Sequence, residues 1–114
     1  MKAAVELGVY LCGNPVQCAK AWESAHRFVR TFSTTLPDID NEKLLKTAEP
    51  AADSDVGLSV SKIEMGNNQQ QLFLDIRCRQ SSQGMELCAS DKVRDIRTSF
   101  RTYIENGVAG TNAD

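Results

Sequence analysis

Four cysteines and a single histidine are the side chains of this sequence best suited to specific chemistry. The cysteines are Cys12, Cys18, Cys78 and Cys88, spaced C-x5-C in the first half and C-x9-C in the second. An even number of cysteines in a small domain is typical of a disulfide framework. One hypothesis pairs Cys12 with Cys18 and Cys78 with Cys88, and such short loops would each contribute about 2–3 kcal/mol to stability. A bond between Cys18 and Cys78 also fits, so the connectivity stays open.

Three other uses of the cysteines compete with disulfides. Free cysteine is often buried as a small hydrophobe, which suits Cys18 and Cys78 better than Cys12 and Cys88. Structural zinc favours cysteine pairs spaced by two to four residues, and neither pair has that spacing. A nucleophilic thiol needs a nearby base, but His26 is about 12 Å along the predicted helix from Cys18 and about 80° around it. The spacing therefore favours neither a metal site nor a thiol enzyme.

No other motif in the sequence indicates a particular reaction. The segments Asp53–Asp55 and Asp38–Glu42 are rich in acids, as calcium loops are, but they lack the glycine and late glutamate of an EF-hand. There is no glycine-rich phosphate loop and no G-x-S-x-G. We therefore expect no catalytic residue, no metal and no cofactor, and hence a non-enzymatic protein.

Length and composition predict one globular domain over residues 1–114. The chain has 114 residues, of which 41% are hydrophobic and 25% charged, with a net charge of −2. That charge gives no general attraction to nucleic acid or anionic membranes. No apolar run approaches the roughly 20 residues of a transmembrane helix. Residues 1–13 form an N-terminal segment interrupted by Glu6 and too short for a signal peptide, so export would require a signal upstream of Met1.

The first predicted helix covers residues 15–32. Asn14 can cap its free backbone N–H groups, and Pro15 is well tolerated at the first helical position. Its apolar residues fall within an arc of about 120°, which indicates one buried stripe. The stripe consists of Cys18, Ala21, Trp22, Ala25, Phe28, Val29 and Phe32. Trp22 is therefore interpreted as core rather than as a ligand platform.

The second predicted helix covers residues 90–106. Ser90 and Asp91 are good capping residues at its start, and Gly107 is expected to end it. Its buried stripe consists of Ala89, Val93, Ile96, Phe100, Tyr103 and Ile104. The segment Gln80–Gly84 before it is interpreted as a loop, and residues 108–114 as a frayed tail.

An antiparallel sheet is predicted over residues 43–79. Its strands are a short one at 43–48 and a hairpin formed by 56–65 and 70–79, joined by a turn at Gly66–Asn68. In the last strand, one face is apolar and is formed by Leu72, Leu74, Ile76 and Cys78. In the strand before it, the apolar alternation slips by one residue, which predicts a β-bulge near Ser61–Lys62.

These elements give a two-layer α+β fold in the order α-β-β-β-α. Because only one face of the three-stranded sheet is apolar, we expect both helices to pack on that face. The order resembles that of the double-stranded-RNA-binding domain. That resemblance implies a lysine cluster at the start of the second helix, where this chain has Ala89-Ser90-Asp91-Lys92. RNA binding is therefore a minor alternative resting on topology, and nucleic acid is not the favoured partner.

Phe73 and Arg77 are the candidate contacts for a partner. Phe73 is the lone aromatic residue on the polar face of the best strand, where it could anchor another protein. A single exposed aromatic residue is also common on surfaces that bind nothing. Arg77 lies on the same face, four residues along the strand.

The function expected from the sequence is that of a small, non-enzymatic binding or accessory module. If the cysteines are bonded, the compartment is oxidising, which means periplasmic or secreted, and the partner is another protein or an envelope component. The first alternative is a cytoplasmic interaction or regulatory domain with free thiols. A small thiol-dependent or metal-dependent enzyme is the alternative from another class.

Overall fold

The computed structural model describes residues 8–109 and contains five strands and three helices in that part of the chain. The strands are β1 (Val9–Cys12), β2 (Pro37–Asp40), β3 (Leu44–Thr47), β4 (Val56–Gly66) and β5 (Gln69–Cys78). The helices are α1 (Pro15–Phe32), α2 (Ser82–Cys88) and α3 (Asp91–Ala109).

All described strands belong to one antiparallel sheet in the order β1-β5-β4-β3-β2. The predicted three-stranded sheet with two helices was therefore wrong, although the chain is α+β. The missed strands are the two edges of the sheet. The observed order of helices and strands differs from that of the double-stranded-RNA-binding domain, so the resemblance has no basis.

The two edge strands escaped prediction for different physical reasons. β1 lies inside the predicted N-terminal segment 1–13, and its four residues pair with a strand some sixty positions later. β2 contains Pro37, Asp38 and Asp40, residue types that are depleted in strands. Proline and acids are tolerated there because an edge strand pairs on one side only.

The predicted β-bulge at Ser61–Lys62 is also wrong. Both residues pair regularly with β5, and the irregularity lies between Glu64 and Gly66, beside the hairpin turn. The phase of β4 therefore does not change at Ser61. As a result, Ile63 stays on the face opposite to that of Leu58 and Val60.

Helix α1 has the expected bounds, and its N-terminus shows why. The side chain of Asn14 accepts a hydrogen bond from the backbone N–H of Gln17 at 2.8 Å, and Pro15 opens the helix. The predicted stripe faces the sheet, with Phe28 and Val29 almost fully buried.

The C-terminal third of the chain departs from prediction in two places. The segment expected to be a loop at 80–84 leads into α2, which Ser81 caps by accepting a hydrogen bond from the N–H of Gly84 at 3.1 Å. Helix α3 runs through Gly107 to Ala109, beyond the predicted end at 106. The expected frayed tail thus begins inside a helix at 108–109, and residues 110–114 lie outside the described part.

Gly107 serves close packing instead of helix termination. A methyl group at this position would overlap the side chain of Ser24 on α1, so α1 and α3 approach too closely here for any larger residue. Ser24 itself is buried and accepts a hydrogen bond from Arg27 at 3.0 Å. Glycine has a low helix propensity, but at this position it allows the two long helices to make close contact.

Both long helices pack on one face of the sheet, which we call the inner face. Phe28 of α1 and Phe100 of α3 meet edge to face with ring centroids 5.1 Å apart, and Tyr103 joins them. The inner face of the central strands is formed by Leu58, Val60, Leu72, Leu74 and Ile76. The opposite side of the sheet, called the outer face below, bears no described helix.

Candidate functional site

The outer face places apolar side chains in two neighbouring rows across the sheet. In an antiparallel sheet, residues directly opposite each other point to the same face. Phe73 on β5 lies between Val9 of β1 and Ser61 of β4, and Ser61 in turn faces Leu44 of β3. This arrangement forms the first row.

The second row lies one step nearer the hairpin turn. Gln71 on β5 has Leu11 of β1 on one side and Ile63 of β4 on the other. We call the five apolar residues of the two rows the outer patch. The outer patch consists of Val9, Leu11, Leu44, Ile63 and Phe73.

Several members of the outer patch are strongly exposed for apolar residues. The relative exposure is 55% for Leu11, 46% for Ile63 and 42% for Phe73, while Val9 and Leu44 are partly buried. An antiparallel sheet with one covered face normally alternates apolar residues inward and polar residues outward. The outer patch breaks that rule over two adjacent rows that together draw on β1, β3, β4 and β5.

A cluster of paired charges borders the outer patch on the side away from the hairpin turn. The Lys46 ammonium lies 2.9 Å from Glu49, and Arg77 contacts both Glu49 and Asp75, the latter at 3.4 Å. The hydrogen bond from Lys46, with the nearby Arg77 charge, holds the pKa of the Glu49 carboxyl below its usual range. These two cations and two anions thus neutralise one another within the chain.

Phe73 and Arg77 therefore occupy different parts of the outer face. Phe73 is central to the outer patch, whereas the Arg77 guanidinium is held in the charge cluster by its two carboxylate partners. Phe73 is also not isolated, contrary to the expectation from its strand alone. Its apolar neighbours come from β1, β3 and β4, and their grouping depends on strand register.

The cysteines lie at two corners of the fold and away from the outer patch. Disulfides join Cys12 to Cys18, linking β1 to the first turn of α1, and Cys78 to Cys88, linking the end of β5 to the end of α2. Cys12 and Cys18 are buried, while Cys78 and Cys88 are partly exposed. A sulfur held in a disulfide is neither a zinc ligand nor a nucleophile.

His26 contacts no cysteine and instead links α1 to the edge of the sheet. Its Nε2 atom lies 3.0 Å from a carboxylate oxygen of Asp40 on β2, and its Nδ1 atom lies 2.9 Å from the carbonyl oxygen of Trp22. Trp22 packs against the core, and the Lys62 ammonium lies 4.5 Å from the centroid of its ring. These contacts give both residues structural roles.

Two kinds of feature are absent from residues 8–109, the part of the chain that the structure describes. In that range no three His, Cys, Asp or Glu side chains come together as a metal site requires. None of the helices described there is long and apolar enough to cross a membrane. Comparisons with protein-family models, curated proteins and solved structures find no significant match to this chain.

Proposed function

We propose that this chain is a non-enzymatic binding module that contacts another protein through the outer patch. The supporting observation is the grouping of five apolar side chains in two adjacent rows of outward-facing positions. None of the five belongs to the hydrophobic core of the described residues, which lies between the helices and the inner face. Exposed apolar side chains that are grouped in one place, and not scattered singly, commonly mark an interaction site.

The composition of the outer patch suits a protein partner. Phe73 is a large, exposed aromatic residue with aliphatic side chains in the same row and in the next, which is the arrangement expected of an anchor within a contact. The charge cluster beside it supplies a polar rim. Aromatic centre and polar border together resemble the anatomy of protein interfaces.

We also propose that the module works in an oxidising compartment, as a periplasmic or secreted protein. The two disulfides support this proposal, since cytosolic thiols are normally kept reduced. Alkylation of the unreduced, denatured protein from its native cells tests it. We expect no alkylated cysteine, whereas four alkylated cysteines would favour the cytoplasmic alternative with free thiols.

Site-specific photo-cross-linking tests the binding surface. A photoreactive phenylalanine analogue replaces Phe73 in one variant and Val16 in the control. Val16 is 67% exposed and lies on α1, on the other side of the sheet. We expect a discrete adduct from position 73 and none from position 16.

A binding measurement must then follow the cross-link. The protein identified in the adduct, once purified, should bind the unmodified chain and lose at least tenfold affinity for an Ile63→Glu variant. Equal adducts from positions 73 and 16, or none from either, would contradict the proposal.

A further inference from the structure

We infer that the protein bound by the outer patch is a second copy of this chain, packed outer face against outer face about a two-fold axis. This inference rests on the proposed function and names the partner. The arguments come from charge, area and the character of the sheet edges.

The charge distribution favours a partner with the same surface. The two rows that hold the outer patch also include Ser61 and Gln71 and contain no charged residue, and the four charges of the neighbouring cluster are paired within the chain. Such a face offers no net charge of either sign to attract an oppositely charged protein. In a two-fold contact a surface meets itself, so a net charge would repel its own copy, and a neutral face avoids that penalty.

The area of the sheet is sufficient for a weak dimer. At about 3.3 Å per residue and about 4.8 Å per strand, the five strands have a projected area of roughly 500 Å², and the segment 48–50 already covers the outer side of Gly57. Two such faces together therefore provide less than the roughly 1,000 Å² of a stable specific interface, which is the range of weak or transient contacts. Aligned packing of two sheets about 10 Å apart is a common geometry, and it would bring two outer patches into contact. Contacts of this size are typical of reversible association, so we expect a dimer that dissociates on dilution.

The sheet edges offer a weaker route to self-association. β2 presents Pro37, which lacks a backbone donor, together with the charged Asp38 and Asp40, and such residues discourage edge pairing. β1 presents only the four residues Val9–Cys12. Contact through the face therefore uses much more surface than contact through either edge.

Sedimentation velocity of the oxidised 114-residue chain tests the inference. We expect the mass to rise with concentration from 12.5 kDa towards twice that value. Phe73→Glu and Ile63→Glu should each raise the dimer dissociation constant at least tenfold, because each places a carboxylate in the apolar contact. Val16→Glu makes the same kind of change on α1 and should leave the constant unchanged. Thermal melts of all three variants establish that they are folded.

Other outcomes separate this inference from the proposed function. A chain that stays monomeric to millimolar concentration, or a dimer that neither outer-patch variant weakens, overturns the second copy as partner. A position-73 adduct with a different protein then still supports the binding surface. A cross-link within a single chain, from position 73 to residues 1–7, would show that the chain's own N-terminal segment covers the outer patch. That result would overturn both proposals. Both also fail if position 73 gives no adduct.

Discussion

Phe73 on β5 lies directly opposite Val9 on β1, and both side chains point away from the two long helices. This pairing changes how the exposure of Phe73 is interpreted. Without β1 it is a single aromatic residue on a polar strand face, which is common on protein surfaces. With β1 in place, it becomes the centre of an apolar group drawn from four strands.

The two disulfides should differ in their resistance to reduction. Cys12 and Cys18 are only 0% and 5% exposed, whereas Cys78 and Cys88 are both partly exposed. Because thiol–disulfide exchange requires access to the sulfur, the Cys78–Cys88 bond should be reduced several-fold faster under native conditions. Limited reduction followed by alkylation and peptide mass mapping measures the order. Faster labelling of Cys12 and Cys18 would contradict the burial of that disulfide in the structure.

Gly107→Ala should destabilise the protein, although the same change inside an exposed helix normally stabilises it by about 1 kcal/mol. The added methyl group overlaps Ser24, so α3 must move away from α1. We expect a loss of about 1–3 kcal/mol in the free energy of unfolding, measured by urea denaturation.

The neighbouring exposed position provides the control for that measurement. Asn106→Ala also introduces alanine into α3 but meets no buried side chain, and it should be neutral or slightly stabilising. If Gly107→Ala raised stability as much as Asn106→Ala, the close contact between α1 and α3 would be excluded.

Asp55 should make stability depend on pH in the acid range. Its carboxylate accepts hydrogen bonds from the backbone N–H groups of Ala52 at 2.9 Å and Ala51 at 3.0 Å, and from the Thr34 hydroxyl at 2.9 Å. These bonds, led by that from Ala52, hold the pKa of Asp55 below its ordinary value. The stabilisation is therefore fully present above the unfolded-state pKa of about 3.9 and is lost as the pH falls through the lower folded-state value.

The Asp55→Asn variant measures this contribution. The melting temperature should be lower than that of the unmodified chain near neutral pH, and the gap should shrink once the pH falls below about 4. Asp38→Asn removes an exposed carboxylate elsewhere and serves as the matched control. If the two variants behaved alike at every pH, the hydrogen bonds to Asp55 would contribute nothing.

The sequence predicts those elements whose signals are local. The Asn14-Pro15 start defines α1, and the alternation of Leu72, Leu74 and Ile76 defines the inner face of β5. Both signals lie within the element itself. They reflect backbone capping and one-sided burial, which a single sequence displays directly.

The remaining features depend on contacts between distant parts of the chain. β1 is a strand because β5 pairs with it, and Gly107 is glycine because Ser24 lies against it. The outer patch was missed for the same reason. Its members come from separate strands, and the apparent change of phase at Ile63 suggested burial on the inner face, whereas that residue is exposed.

The central claim is that the outer patch serves binding and not folding. The free energy of unfolding of Phe73→Glu, measured at a concentration where the chain is monomeric, tests it most directly. Leu74→Glu is the matched comparison, since Leu74 is the next residue, points inward and is only 2% exposed. We predict a loss of at most about 1 kcal/mol for Phe73→Glu and of more than about 3 kcal/mol for Leu74→Glu. Equal losses for the two variants would place Phe73 in the core and contradict the account.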